Sequence, residues 1–198
     1  MIYPKTRDEL INLIKYRLKE NKFGNKNIIF PDLSDIDIKY INDFRNLFKE
    51  ALSNEYTQIK LDLSEWNTSH LTSMFRMFNG CKNLVSLNIS GWDTSNVVSM
   101  ADMFNYCALK ELDLSSLDTS NVTDMTGMFY GCTSLTKINL SNLNTSKVTS
   151  MAFMFALCEK LQYIDISSFD TTEVNDMGSM FFKCESVVNL DLSNFDTT

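Results

Sequence analysis

The sequence predicts an α/β repeat solenoid in which each coil of 25–26 residues contributes a short parallel strand and a short helix, closed at one end by an N-terminal helical cap. Three observations support this prediction: a row of evenly spaced cysteines, a strand pattern that recurs with it, and an apolar stripe between the two. The cysteines are 26, 25, 26 and 26 residues apart, at Cys81, Cys107, Cys132, Cys158 and Cys184. This period is typical of units that bury their apolar faces only by stacking on their neighbours.

The first half of each copy predicts a strand and a turn. Leu84, Leu87 and Ile89 have the spacing L-x-x-L-x-L, and the period of two in its second part places alternate side chains on one face of a strand. Asp-Thr-Ser follows at 93–95, and its side-chain oxygens can accept hydrogen bonds from nearby backbone N–H groups. We therefore expect a turn that also caps a following helix.

The second half of each copy has an apolar stripe that predicts a short helix. In one copy the stripe, at i, i+3, i+6, i+7 and i+10, is Val97, Met100, Met103, Phe104 and Cys107. We expect reduced cysteines packed as small hydrophobic residues. One cysteine per coil does not suit a tetrahedral zinc site, and an odd number argues against disulfides between neighbouring coils. No metal or cofactor is predicted.

The chain divides into two parts. Residues 1–50 are predicted to form the cap, with an amphipathic helix that starts at the capping box Thr6-x-x-Glu9 and ends at Gly24, followed by a degenerate repeat whose strand half is interrupted by Pro31. Residues 51–198 are predicted to be the solenoid. The sequence stops within a coil, so we expect truncation at the C-terminus; the alternative is an open edge covered by a partner or by self-association.

Composition and motifs exclude several classes of protein. The net charge of −7 and the lack of a basic run argue against nucleic-acid binding, and no apolar run is long enough to insert into a membrane. No G-x-S-x-G, P-loop or H-E-x-x-H motif occurs, and the single histidine, His70, is expected to be solvated. The prediction is a protein without enzymatic activity.

A regular column of acidic residues follows the strand pattern. It contains Asp113, Asp165 and Asp191, with Asn88 and Asn139 interleaved. Alternation of Asn with Asp relieves like-charge repulsion between adjacent strands, which is a structural reason for the column. A calcium site there is the less favoured alternative.

The repeat resembles that of a known family. The pattern L-x-x-L-D-L-S-x-x-D-T-S-x-V-T-x-M-x-x-M-F-x-G-C, nearly literal at 109–132, resembles the 26-residue repeat of BspA-like leucine-rich repeat surface proteins of bacteria. The match covers residues 57–198, with a degenerate copy from about residue 28. The resemblance implies a leucine-rich-repeat-like solenoid, surface display or secretion, and adhesion or host-protein binding, with no enzyme. This sequence shows no signal peptide, so a cytoplasmic location stays an alternative.

The favoured function is therefore a protein-binding module, with a structural spacer and an intracellular effector or immunity-type protein as alternatives. The predicted binding residues on the sheet face are Lys60, Glu111, Asp113, Lys137, Asn139, Tyr163 and Asp165. A rival surface on the helical face consists of Tyr130, Phe153 and Phe182. Tyr163 is the expected anchor because aromatic residues dominate binding hot spots, whereas the plainer alternative is a solvated sheet surface.

Overall fold

The computed structural model describes residues 1–20, 28–52 and 58–196. These residues form two α-helices, α1 (Arg7–Glu20) and α2 (Leu47–Ala51). They also form four short strands: β1 (Ile59–Asp62), β2 (Leu84–Asn88), β3 (Glu111–Asp113) and β4 (Lys137–Asn139). The predicted end of the first helix at Gly24 lies outside the described residues. Below, copies 1 to 5 are the repeats that end at the five cysteines in chain order, and copy 6 begins at Val187.

Consecutive copies are joined by parallel pairing. β1 pairs with β2 and β3 pairs with β4, in registers that place Lys60 opposite Ser86 and Glu111 opposite Lys137. Single bridges link Ile29 to Ile59 and Tyr163 to Asn189. A second row of parallel bridges runs without a break through copies 1 to 5, at Ser73, Ser99, Asp124, Ser150 and Asp176.

The predicted fold class, an α/β repeat solenoid with one strand and one helix in each coil, is wrong. Among the described residues only α1 and α2 are α-helical, and the named strands pair two by two in separate two-stranded sheets. The apolar stripe of residues 97–107, predicted to be a helix, consists of successive turns. The Asp-Thr-Ser turn does form, with Asp93 Oδ1 accepting the N–H of Ser95 at 3.1 Å, but no helix follows it.

The reason is an alternating pattern of backbone hydrogen bonds. The N–H groups of Met100, Asp102, Phe104 and Tyr106 donate to carbonyls of the next copy, at 2.7 to 3.0 Å. From Met103 onward, the intervening N–H groups donate to the carbonyl three residues back in their own copy, as Met103 does to Met100 at 3.2 Å. An α-helix needs every N–H to bond four residues back, so bonds between copies replace the helix.

This pattern requires positive φ twice in each copy. The first position has Arg76, Asp102, Gly127, Phe153 and Ser179, with φ between 55° and 58°. The second has Gly80, Tyr106, Gly131, Leu157 and Lys183, with φ between 53° and 72°. Glycine adopts this left-handed conformation at no steric cost, whereas other residues are strained there.

The core is a row of stacked rings flanked by methionine and cysteine. Phe48, Phe78, Phe104, Phe129, Phe155 and Phe181 stack in sequence, with neighbouring ring centroids 4.7 to 5.7 Å apart. The predicted burial of the cysteines is confirmed for copies 1 to 4, while Cys184 is half-buried, and all five are free. Burial raises the pKa of the Cys107 and Cys132 thiols well above the ordinary value, so these thiols are poor nucleophiles.

The N-terminal residues pack against copy 1. α1 buries Leu10, Ile11, Ile14 and Leu18. The Arg7 guanidinium lies 2.7 Å from the Glu50 carboxylate and ties α1 to α2. The indole Nε1 of Trp66 in copy 1 donates to the carbonyl of Leu33 at 3.1 Å. The assignment of residues 1–50 as a cap stays a prediction.

Candidate functional site

The strands present one column of side chains that differs from copy to copy. This variable column consists of Lys60, Ser86, Glu111, Lys137, Tyr163 and Asn189. Tyr163 is the aromatic residue of this column, and 65% of its surface is exposed. No hydrogen bond is formed by the side chains of Glu111, Lys137 or Tyr163 to any described residue.

Six of the seven predicted sheet-face residues line one groove of about 540 Å³. They are Glu111, Asp113, Lys137, Asn139, Tyr163 and Asp165. The seventh, Lys60, does not line the groove; it is half-buried on β1 opposite Ser86, which does line it. Tyr163 and Asp165 also line a second groove of about 490 Å³ toward Asn189 and Asp191. Tyr163 therefore stands between two adjoining grooves.

The column of Asp and Asn beside the variable column has a structural role. Asp113 Oδ1 accepts the N–H of Ser115 at 2.9 Å, and Asp165 Oδ1 accepts both the N–H and the hydroxyl of Ser167 at 3.1 and 2.7 Å. The same turn recurs at Asp32, Asp62, Asn88, Asn139 and Asp191. Each residue closes an Asx turn at the end of its strand. We call this set the first Asx column.

These hydrogen bonds also fix the charge of the groove. The bond from the Ser115 N–H holds the pKa of the Asp113 carboxyl below its ordinary value, and the Ser167 hydroxyl does the same for Asp165. Both groups are therefore ionised at neutral pH. With Glu111, the groove has three carboxylates and one ammonium group, that of Lys137.

A second Asx column follows the first along the chain. Asp93, Asp118 and Asp170 each accept the N–H of the residue two positions later, and Asn67 and Asn144 make the same bond. The next residue is a buried threonine in copies 1 to 5, as at Thr94, whose hydroxyl donates to the Asp118 carbonyl at 2.8 Å. The second column does not line the groove.

The sequence predicts that the rival aromatic surface lies on a helical face, but in the structure its residues lie on turns. The rings of Tyr130 and Phe153 meet edge to face at 6.2 Å, and Tyr106 joins them at 5.3 Å from Tyr130. Phe182 follows in copy 5, with the Lys183 ammonium 5.7 Å from its ring centroid. Sequence reasoning misses Tyr106. The available signal is that the position of Tyr106, just before the cysteine, is glycine in two other copies, where an aromatic side chain stands out.

Phe30 is a second residue that sequence reasoning misses. The bridge between Ile29 and Ile59 aligns Phe30 with Lys60 in the variable column, and 56% of Phe30 is exposed. The signal is the tetrapeptide Pro-Asp-Leu-Ser at 31–34, which matches Leu-Asp-Leu-Ser at 61–64 except for the proline.

The described residues show no candidate metal centre. They contain no group of three or more histidine, cysteine or acidic side chains placed to hold a metal ion. His70 is half-buried, and its Nε2 is 2.9 Å from the carbonyl of Ile41, so the expectation of a solvated histidine is wrong. This bond links copy 1 to the preceding degenerate repeat.

Comparison with known families gives one match. The model of a family described as Mycoplasma protein of unknown function, DUF285, matches residues 18–136, 43–163 and 107–198. The chain belongs to the DUF285 family. Overlapping matches are expected when one family model fits a repeated sequence in several registers. No curated protein and no solved structure matches this DUF285 chain significantly.

In the described parts of this DUF285 protein, no helix is long and apolar enough to cross a membrane, since α1 has 14 residues and α2 has five. The family description names no activity.

Proposed function

We propose that this chain is a non-catalytic protein-binding module whose partner docks in the groove around Tyr163. The observation that carries the proposal is that six side chains selected from the sequence line one groove, with the ring of Tyr163 exposed between it and the adjoining groove. A rigid aromatic ring provides contact area at little entropic cost, which suits an anchor.

The difference between the two neighbouring columns, one constant and one variable, supports a role in binding. The first Asx column is nearly constant because it closes the turn after each strand. The variable column makes no such bonds at Glu111, Lys137 and Tyr163, so its residues are free to differ without cost to the fold. A surface that varies on a constant scaffold is typical of repeat proteins that bind other proteins.

The resemblance to BspA-like surface proteins supports a location on the bacterial surface, with adhesion or host-protein interaction as the role. The constancy of the Asx columns is the feature that favours the alternative, a structural spacer, because a spacer needs only the parts that hold copies together.

The test uses a displayed library of random peptides, selected on the wild-type chain. Enriched peptides are then measured on Tyr163→Ala and Lys137→Glu, with Phe153→Ser as the matched control on the turn face. We expect Tyr163→Ala to weaken binding about tenfold or more, because truncation of a hot-spot anchor costs about 2 kcal/mol or more. Lys137→Glu should change the affinity in the direction set by the charge of the peptide, because it replaces the ammonium group of the groove with a carboxylate. Thermal unfolding checks that the variants keep their stability.

The opposite pattern would overturn the proposal. Peptides that bind Tyr163→Ala and Lys137→Glu as well as wild type, but lose affinity for Phe153→Ser or Phe182→Ser, would move the site to the aromatic turn face.

A further inference from the structure

We infer that the groove recognises a cationic, extended segment of its partner, one that carries at least two arginine or lysine side chains. The inference rests on the proposed function and names the class of partner. Its basis is the excess of negative charge in the groove, the spacing of two of its carboxylates, and the exposed ring of Tyr163 beside one of them.

The charge of the groove is not balanced within the protein. Glu111 is opposite Lys137 in the register of β3 and β4, and opposite charges directly across a pair of strands offset one another. After the bond from the Ser115 N–H, Lys137 also helps to lower the pKa of the Asp113 carboxyl, so one ammonium group serves three carboxylates and two negative charges in the groove stay uncompensated. A neutral or acidic partner would cover both charges without compensating them, which costs free energy.

The spacing of the two carboxylates favours a segment over a single cation. Asp113 is in copy 3 and Asp165 in copy 5, and parallel bridges in the turn half hold copies 3, 4 and 5 side by side. The two carboxylates are therefore on the order of 10 Å apart, twice the usual spacing of paired strands. One guanidinium group cannot reach both carboxylates. Two basic side chains on an extended peptide can.

The hydrogen-bonding state of Asp165 leaves room for such a ligand. Both of its bonds from Ser167 go to Oδ1, so the turn does not use Oδ2. The lowered pKa values of Asp113 and Asp165 keep the groove negative in mildly acidic surroundings as well. Tyr163 adds an exposed ring face, which attracts a guanidinium or ammonium group by the cation–π interaction.

The repeat supplies a matched pair of variants for the test. Asn occupies the first Asx column at 88 and 139 and the second at 67 and 144, so Asp→Asn removes charge in either column and keeps the turn. The groove pair is Asp113→Asn with Asp165→Asn. The control pair, Asp93→Asn with Asp170→Asn, removes the same charge away from the groove.

The probes are fluorescein-labelled peptides with alternating serine and arginine, serine and citrulline, or serine and glutamate. We expect the arginine peptide to bind, with affinity that falls as NaCl rises from about 50 to about 300 mM. The groove pair should weaken it about fivefold or more, as expected for two exposed charge pairs, and the control pair less than about twofold. The citrulline and glutamate peptides should bind at least about tenfold more weakly than the arginine peptide.

Two results would overturn the inference. Equal weakening by both variant pairs would show that the peptide follows net charge, and equal binding of the citrulline peptide would show that charge is not recognised. Circular dichroism and thermal unfolding confirm that both pairs are folded.

The selected peptides separate failure of this inference from failure of the proposed function. If they are neutral or acidic and still lose affinity for Tyr163→Ala, the charge inference fails and the binding module stands. If no selected peptide depends on Tyr163 or Lys137, both fail.

Discussion

Two residues in each copy determine the course of the turn half by adopting positive φ. Glycine occupies both positions only in copy 3, at Gly127 and Gly131. Gly131 has an additional reason to be glycine, because a Cβ built on it would lie 2.6 Å from the Tyr106 ring. The aromatic turn surface and the backbone conformation therefore depend on the same residue.

We predict that Gly131→Ala destabilises the protein by about 1 to 2 kcal/mol through backbone strain, with a further cost from displacement of Tyr106. Urea unfolding measures the change. The control is Gly178→Ala, since Gly178 has no positive φ and its position is alanine at 101 and 152. Equal losses in the two variants would contradict the role assigned to φ at Gly131.

The candidate site could be predicted from the sequence where side chains alternate along a strand. Glu111, Lys137 and Tyr163 follow from the period of two and lie on one groove. Phe30 could not be predicted because Pro31 interrupts the strand pattern. Tyr106 could not be predicted because it lies outside the apolar stripe that was interpreted as a helix. Only the bonds between copies reveal that Tyr106, Tyr130 and Phe153 meet.

At the level of elements, the helix was mispredicted for a physical reason. The spacing i, i+3, i+7 and i+10 of Val97, Met100, Phe104 and Cys107 fits a helical stripe, but successive tight turns repeat apolar residues at similar intervals. Helical periodicity reports only which side chains share a face. It does not report whether the N–H groups bond within the segment or to a neighbouring copy. In this protein, N–H groups that bond within the copy alternate with N–H groups that bond to the next copy. Gly80, Gly127 and Gly131 are the local signal against a helix.

The Asx columns predict how stability depends on pH. Hydrogen bonds lower the folded-state pKa of Asp93, Asp118, Asp165 and Asp170 from an ordinary value of 3.8. Such groups stabilise the fold above the unfolded-state pKa, and this contribution is lost as pH falls through the lower folded-state values. We expect a melting temperature that these groups leave unchanged between about pH 7 and 5 and that falls below about pH 4.

The variant Asp93→Asn with Asp170→Asn tests this origin of the acid sensitivity. Its melting temperature, followed by circular dichroism during acid titration, should fall less steeply than that of wild type. An unchanged slope would place the acid sensitivity in other carboxylates, such as Asp43, whose pKa the Arg45 guanidinium lowers to about 2.

For the whole molecule, the two rows of bonds between copies differ in continuity. The row through Ser73, Ser99, Asp124, Ser150 and Asp176 is unbroken, whereas the named strands pair as β1 with β2 and β3 with β4. Among the described residues the strand pairing is interrupted between β2 and β3, at the copy of 25 residues, and again between β4 and the copy of Tyr163, where the copy has 26. Copies are thus held mainly through the turn half, and the groove occupies the strand half.

We predict that deletion of residues 1–50 causes aggregation. Ile59, Leu61, Leu63 and Trp66 are buried, and Trp66 would lose its acceptor at Leu33. Size-exclusion chromatography and tryptophan fluorescence measure the effect. Deletion of copy 6 is the control and should cost less, because none of its described residues is fully buried. A monomeric, cooperatively folded 51–198 fragment would show that residues 1–50 are not a cap.

The unbroken row of hydrogen bonds between copies has a mechanical consequence. When the two ends of the chain are pulled apart, we expect the hydrogen bonds between one pair of copies to break one after another while those between the other copies stay intact. Each released copy of 25–26 residues adds about 90 Å of extended chain. We therefore expect the protein to lengthen in nearly equal steps when it is stretched, one step for each released copy.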